Sequence, residues 1–183
     1  MLTVAELKRA HVNNGGDIAI HLAPWTDYNV GLVDRPDNPS LLANAHIDWT
    51  DAVRGIATSG WRGRSFSLGI ADAVTVLAVN ASSADATATL IANAVDLPGH
   101  PAIARVPAEE IQPDSDLGRR LVTRDVGALR PAEVAEALNH GVAVAERMLA
   151  ATLIIACALH LAGETRIVGR VPMAQPGRLT VHA

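Results

Sequence analysis

The chain has 183 residues, 49% apolar and 19% charged, which suits one domain with a buried core and excludes disorder over most of its length. A formal net charge of −4 gives nucleic acid no support as the main partner, and aromatic residues at 3% leave little to stack on single strands. Lysine is almost absent, so positive charge rests on arginine, whose planar fork matches phosphate and carboxylate. Cys157, the single cysteine, lies in the apolar run IIACAL; it excludes an internal disulfide and a thiolate metal cluster and reads as a buried, inert thiol. Met1–Ala10 carries Glu6, Lys8 and Arg9 and has no apolar signal-peptide core. The uncharged run Met148–Leu159 falls short of the roughly 20 residues a bilayer span needs. A cytoplasmic protein with no membrane partner is the expectation.

In chain order, Leu2–Arg9 suits a short helix with Thr3 as its cap. His11–Asn13 and Ile18–Leu22 read as strands around the turn Asn14-Gly15-Gly16, with His11 and His21 facing each other, and Tyr28–Val33 reads as a third strand. Asp34–Ser40, with two prolines, is an expected loop. Arg54–Thr58 and Ala73–Val79 read as buried strands separated by a glycine-rich loop, and Ser82–Ala94 as an alanine-rich helix. Leu97–Pro113 looks irregular, Asp114–Arg120 suits a helical turn, and Pro131–Leu149 a longer helix opened by proline. Leu153–Leu161 and Thr165–Val168 flank Gly163-Glu164 as a terminal hairpin, and Pro172–Ala183 reads as a loose tail. Together these predict an α+β domain over 1–171, a mixed, mostly antiparallel sheet with packed helices.

The stretch Thr58-Ser59-Gly60-Trp61-Arg62-Gly63-Arg64-Ser65 is the strongest chemical signal. Glycines let backbone amides approach a ligand, and hydroxyls and guanidinium forks add donors, so a phosphate or carboxylate is the natural guest. A hairpin loop whose arginines pair with nearby acids explains the same residues. There is no phosphate-loop lysine and no dinucleotide glycine fingerprint. Asp85 and Thr89 stand four apart, hence on one helix face, where a carboxylate and a hydroxyl can supply oxygen ligands to Mg²⁺. Spacing alone favours another reading: Ser82-x-x-Asp85 resembles a capping box, and Thr89 can bond back to a carbonyl one turn earlier. Asn13–Asp17 offers an acid and amides but also the vocabulary of a plain turn, and Asp114/Asp116 suit a helix cap after Pro113. Trp61 is the ring best placed to stack on a flat ligand, with a core or lid role equally open. The seven histidines show no metal-site spacing, and no nucleophile elbow is present.

These residues resemble the ApbE-related superfamily, whose characterised members are Mg²⁺-dependent FAD:protein FMN transferases. The matching pieces are VNNGGDIAI at Val12–Ile20, GIATSG at Gly55–Gly60, AVTVLA at Ala73–Ala78 and ADATATLIANA at Ala84–Ala94, in the superfamily's order. The nearest likeness is to an uncharacterised family beside the transferases, through RGIATSGWRGRSFSLGIADAVTVLA at Arg54–Ala78 and PDSDLG at Pro113–Gly118. The resemblance implies that Asp85 and Thr89 hold Mg²⁺, reversing the capping preference, and that the ligand is FAD or FMN. Two departures stand against importing the transferase reaction. Trp61–Asp72 contains neither the histidine nor the proline of the transferases' His-Ile-Ile-Asp-Pro-type segment. A member would also begin well before VNNGGDI, so the chain is expected to be the C-terminal portion of the full domain, with the missing surface absent or supplied by a partner or a second copy.

The leading expectation is therefore an ApbE-like domain that binds a small phosphorylated ligand, with Arg62 and Arg64 clamping the anion and Ser59 and Ser65 donating hydroxyls. The rivals are a non-catalytic binding or assembly module that kept the fold, and a different enzyme acting on a small carboxylated metabolite.

Overall fold

The computed structural model describes residues 7–33 and 41–171. The expected loop Asp34–Ser40 and the tail 172–183 lie outside them, as does most of the expected first helix. Its last residue, Arg9, opens a strand instead.

A six-stranded antiparallel sheet organises the chain. Its strands, in spatial order, are β1 (Arg9–Asn14), β2 (Asp17–Leu22), β5 (Gly55–Ser59), β6 (Ala73–Ala78), β9 (Ala156–Leu161) and β10 (Glu164–Gly169). Gly15 and Gly16 adopt φ of +69° and +134°, which L side chains rarely reach, and so close a two-residue hairpin between β1 and β2. The register sets His11 opposite Ile20 and His21 opposite Ala10, so the two histidines do not face each other. Two further hairpins accompany the sheet: β3 (Asp27–Val33) with β4 (Leu41–Asp48), and β7 (Ile103–Pro107) with β8 (Leu121–Val126). The α+β expectation holds.

Side-chain alternation separates two cores. Ala57, Val76 and Cys157 sit in register on one face and pack beneath two helices, α1 (Ala81–Ala94) and α3 (Pro131–Ala150). Ile56, Leu77 and Ala156 point the other way, into a cluster with Ile20, Ile47 and Val30 under the β3–β4 hairpin. Strands β6 and β9 are buried along their whole length, as their near-continuous apolar runs require.

Helix α1 buries Ala84, Thr87, Ala88, Ile91 and Ala92, the spacing of one helical face. Its N-cap is Asn80, whose Oδ1 accepts the Ser83 N–H at 2.8 Å. At Gly55 a Cβ would have no room against the Asn80 carbonyl, so β5 and the start of α1 touch backbone to backbone. Helix α3 opens with Pro131 and a capping box in which Glu133 accepts the Arg130 N–H at 2.7 Å. Its Gly141 gives the space that Val95 and Leu159 occupy at the contact with α1. No described helix is long and apolar enough to cross a membrane.

The departures from expectation lie between these elements. Asp114–Arg120, expected as a helical turn, forms successive turns, Gly118 N–H to Ser115 O and Arg120 N–H to Leu117 O. Part of the stretch expected to be irregular is β7 and the short α2 (Ala108–Ile111). The last hairpin begins at Ala156 because Thr152, at φ +58°, ends the helical path three residues after Leu149.

Candidate functional site

Strand β2 pairs with β5 only through Ile18↔Ile56 and Ala19↔Gly55. Ala57–Ser59 therefore run past the β1–β2 turn with β6 alone beside them. Where the turn and β5 part, a cleft of about 650 Å³ opens. Its lining comes from four elements: the turn Asn14–Asp17, the end of β5 with Thr58 and Ser59, the loop residues Gly60 and Arg62–Ser65, and Asp85 with Thr89 on α1. Ile18, Ile56, Thr75, Val30 and Gly31 complete it, giving an apolar sector beside the polar one. Thr58, Ser59, Gly60, Arg62, Arg64 and Ser65, singled out for ligand contact, and Asp85 and Thr89, singled out for metal, all line this one space, whereas Trp61 does not.

Asp85 and Thr89 are exposed on α1 on the side turned to the cleft. The capping alternative for Asp85 does not describe the helix start. Asn80 caps it, and Asp85 is the fifth helical residue rather than the third. The back-bond expected of Thr89 is made by Thr87 instead, whose hydroxyl donates to the Ser83 carbonyl at 2.5 Å. Opposite them stands Asp17, whose carboxyl is held above the usual carboxylate range, first by burial and then by the charge of Asp85. Two carboxylates, with a hydroxyl one turn along α1, are the hard oxygen donors that Mg²⁺ takes. The residues present fit that ion. Asp17, which the sequence offers equally as a site acid or a turn residue, closes the β1–β2 turn and lines the cleft.

The loop divides into parts with different tasks. Arg64 is exposed, and its guanidinium lies against Gly15, where any Cβ would collide with it. Arg64 therefore bridges from the loop to the hairpin turn across the cleft. Arg62 matches the plainer expectation of an arginine paired with an acid: its Nε donates to Asp72 Oδ1 at 2.7 Å, and its guanidinium lies 4.2 Å from the centre of the Trp61 ring. That face of Trp61 is taken, and Trp61 is not among the cleft-lining residues. Gly60 is buried against the Ala71 and Asp72 carbonyls, so its small size serves packing. The Thr58 and Thr75 hydroxyls bond to each other at 2.8 Å on the cleft wall. Farther on, the Ser67 hydroxyl and the Leu68 N–H both donate to Asn93 Oδ1, tying the loop to the end of α1.

Other candidates lie elsewhere. Asp114 and Asp116 do not reach the cleft. His46 bonds to Asn29, His140 to the Asp96 carbonyl, and His100 pairs with Glu133. Among the described residues no group of three or more His, Cys, Asp or Glu gathers to hold a metal. Cys157 is buried and its thiol is pushed up to about 12 by desolvation, as an inert core cysteine should be.

A UPF0280 protein of Methanopyrus kandleri is 42% identical over 83 residues, covering 45% of this chain and 33% of that protein. A UPF0280 protein of Archaeoglobus fulgidus is 42% identical over 91 residues, covering 50% and 36% respectively. One of Methanothermobacter thermautotrophicus is 42% identical over 88 residues, covering 48% and 33%. The matched stretch thus spans about a third of the length of these relatives. Residues 1–167 match the model of the family described as AbpE bacteria, and the chain belongs to that family.

Proposed function

We propose that this chain binds a phosphorylated ligand of the flavin-nucleotide type, FAD or FMN, together with Mg²⁺, in the cleft between the β1–β2 turn and α1. The observation that carries the reading is that one cleft gathers two acids and a hydroxyl, Asp17, Asp85 and Thr89, together with the donors Arg64, Ser59 and Ser65. A dianionic phosphate there would be neutralised by the Arg64 guanidinium and by the cation that the acids would hold. The volume lies in the range of small-ligand sites, roughly 300–1,000 Å³, and the apolar sector of Ile18, Ile56 and Val30 suits a ring system.

In this reading Asp85 and Thr89 hold the cation, and Asp17 adds the second carboxylate. Bound there, Mg²⁺ supplies charge neutralisation and polarises a phosphoryl oxygen. Arg64 orients the anion through its fork, and the glycine-rich turn brings the backbone close to it. The test is titration of the purified protein with FAD, with and without Mg²⁺. Binding that requires the cation is the expected result; absence of binding at high micromolar flavin sinks the reading.

One observation favours binding without transfer. The interval Trp61–Asp72, where the transferases carry their His-Ile-Ile-Asp-Pro-type segment, is bonded to Asn93 and Thr123 and places no histidine in the cleft. A protein that binds FAD with Mg²⁺ and leaves it unhydrolysed and untransferred on prolonged incubation supports this second reading. Ligand carried through purification, identified by mass spectrometry, separates both from an enzyme of small carboxylated metabolites.

A further inference from the structure

The side chain that does most to place the cleft loop does not itself touch the cleft. Asp72 ends the loop and is only 6% exposed. Its Oδ1 accepts from Arg62 Nε at 2.7 Å and from Trp61 Nε1 at 3.2 Å, while its Oδ2 accepts the Ala162 N–H at 2.7 Å. Ala162 opens the β9–β10 turn at φ +48°, with Gly163 at +86°. The first N–H of such a turn points outward and needs an acceptor, which Asp72 provides. The Asp72 backbone is committed as well: its N–H donates to the His160 carbonyl at 3.0 Å, and its carbonyl packs beneath Gly60. Burying a carboxylate is costly unless its lone pairs are filled, and here they are filled from two separate elements.

We infer that Asp72 is a positioning residue, clamping Trp61 and Arg62 to the β9–β10 turn and thereby setting where Arg64 and Ser65 stand in the cleft. The loop has two moorings. Asp72 holds Trp61–Arg62 on one side, and Asn93 holds Ser67–Leu68 on the other. Gly63, Arg64 and Ser65 are the exposed span stretched between them. With both ends tied, the span is held near one position before a ligand arrives, which lowers the ordering cost of binding. Releasing the Asp72 mooring frees the span and with it the Arg64 fork. This inference rests on the proposed ligand reading of the cleft.

The test measures FAD affinity in the presence of Mg²⁺ alongside thermal melting, for Asp72→Asn, Arg62→Gln and a control, Asp96→Asn. The control weakens a comparably half-buried ion pair, Asp96–Arg105, away from the cleft. In Asp72→Asn, an amide facing the Ala162 N–H sets donor against donor. In Arg62→Gln the shorter of the two loop-side bonds is removed while the Trp61 and Ala162 bonds stay, so this variant carries the test if the first does not fold. Both clamp variants are expected to melt cooperatively and to bind FAD about tenfold or more weakly, whereas Asp96→Asn loses stability and keeps its affinity. Trp61 emission, read in a Trp25→Phe/Trp49→Phe background, is expected to become more quenchable by acrylamide when Asp72 is replaced. Clamp variants that melt lower but bind as tightly as the parent overturn the inference and leave the ligand reading standing. A parent protein that binds no FAD with Mg²⁺ overturns both.

Discussion

Replacing Gly60 by alanine tests whether backbone spacing at the base of the loop governs the cleft. A Cβ built on Gly60 stands 2.5 Å from the Asp72 carbonyl oxygen and 2.8 Å from that of Ala71, where ordinary contact begins at 3.4 Å. The two backbones must therefore part by about 0.9 Å. Neither yields cheaply, since the Ala71 carbonyl accepts the Trp61 N–H and the Asp72 N–H is bonded to His160. Overpacking of this kind costs about 2–3 kcal/mol, offset by up to about 1 kcal/mol because alanine loses less chain entropy than glycine. The net loss of about 2 kcal/mol lowers the melting temperature by roughly 4–8 °C in a domain of this size. The same displacement moves Arg64, so FAD affinity with Mg²⁺ falls about tenfold. Gly99→Ala is the matched control: nothing lies within 4 Å of its Cβ, but its φ of +76° strains an L residue by about 1–2 kcal/mol. Circular dichroism melts and flavin titrations of the two variants read both quantities. If Gly60→Ala melts with the parent, or binds as Gly99→Ala does, the spacing argument is wrong.

Two further outcomes follow from the electrostatics. The Asp17 carboxyl is raised by burial and by Asp85, so the folded chain holds that proton more tightly than the unfolded one. Stability without cation should then decline as pH rises from the ordinary carboxylate range through the folded pKa of Asp17. Asp17→Asn should flatten that decline, raise the melting temperature at neutral pH, and weaken Mg²⁺-dependent binding. A lower melting temperature in that variant, with the pH slope unchanged, contradicts the placement of the two acids. Cys157, its thiol pushed up to about 12, should resist an aromatic disulfide reagent at mildly alkaline pH until the chain is unfolded in denaturant. Rapid stoichiometric labelling of the native protein contradicts its burial.

Much of the frame around the cleft was legible because its signals are local. The Gly15-Gly16 turn demands positive φ, VRGIAT and AVTVLAV are short β-branched runs, and Pro131 marks the first turn of a helix. Strand β4 escaped although Ala45 and Ile47, both buried, alternate with His46 and Asp48. The prolines of the preceding loop draw attention away from that weak period-two signal. Strands β7 and β8 are short and carry Arg105, Pro107 and Arg124, so their burial depends on tertiary contact and not on pattern. At the site, residue chemistry picked out the Thr58–Ser65 loop, Asp85 and Thr89, while the resemblance weighted the two α1 residues toward metal. The approach of Asp17 to Asp85 joins positions far apart in the chain and leaves no local trace. Asp72 left none either, since an acid before an apolar strand looks the same whether it is solvated or holds three donors.

The central claim is that Asp85 binds a cation on which ligand binding depends. Isothermal titration of FAD into parent and Asp85→Ala protein, each with Mg²⁺ and with a chelator, measures that dependence directly. The account predicts binding by the parent only when Mg²⁺ is present, and a loss in Asp85→Ala that added Mg²⁺ does not restore, with the cooperative melt preserved. Flavin binding that is indifferent to both Mg²⁺ and Asp85, or no binding by the parent, contradicts it.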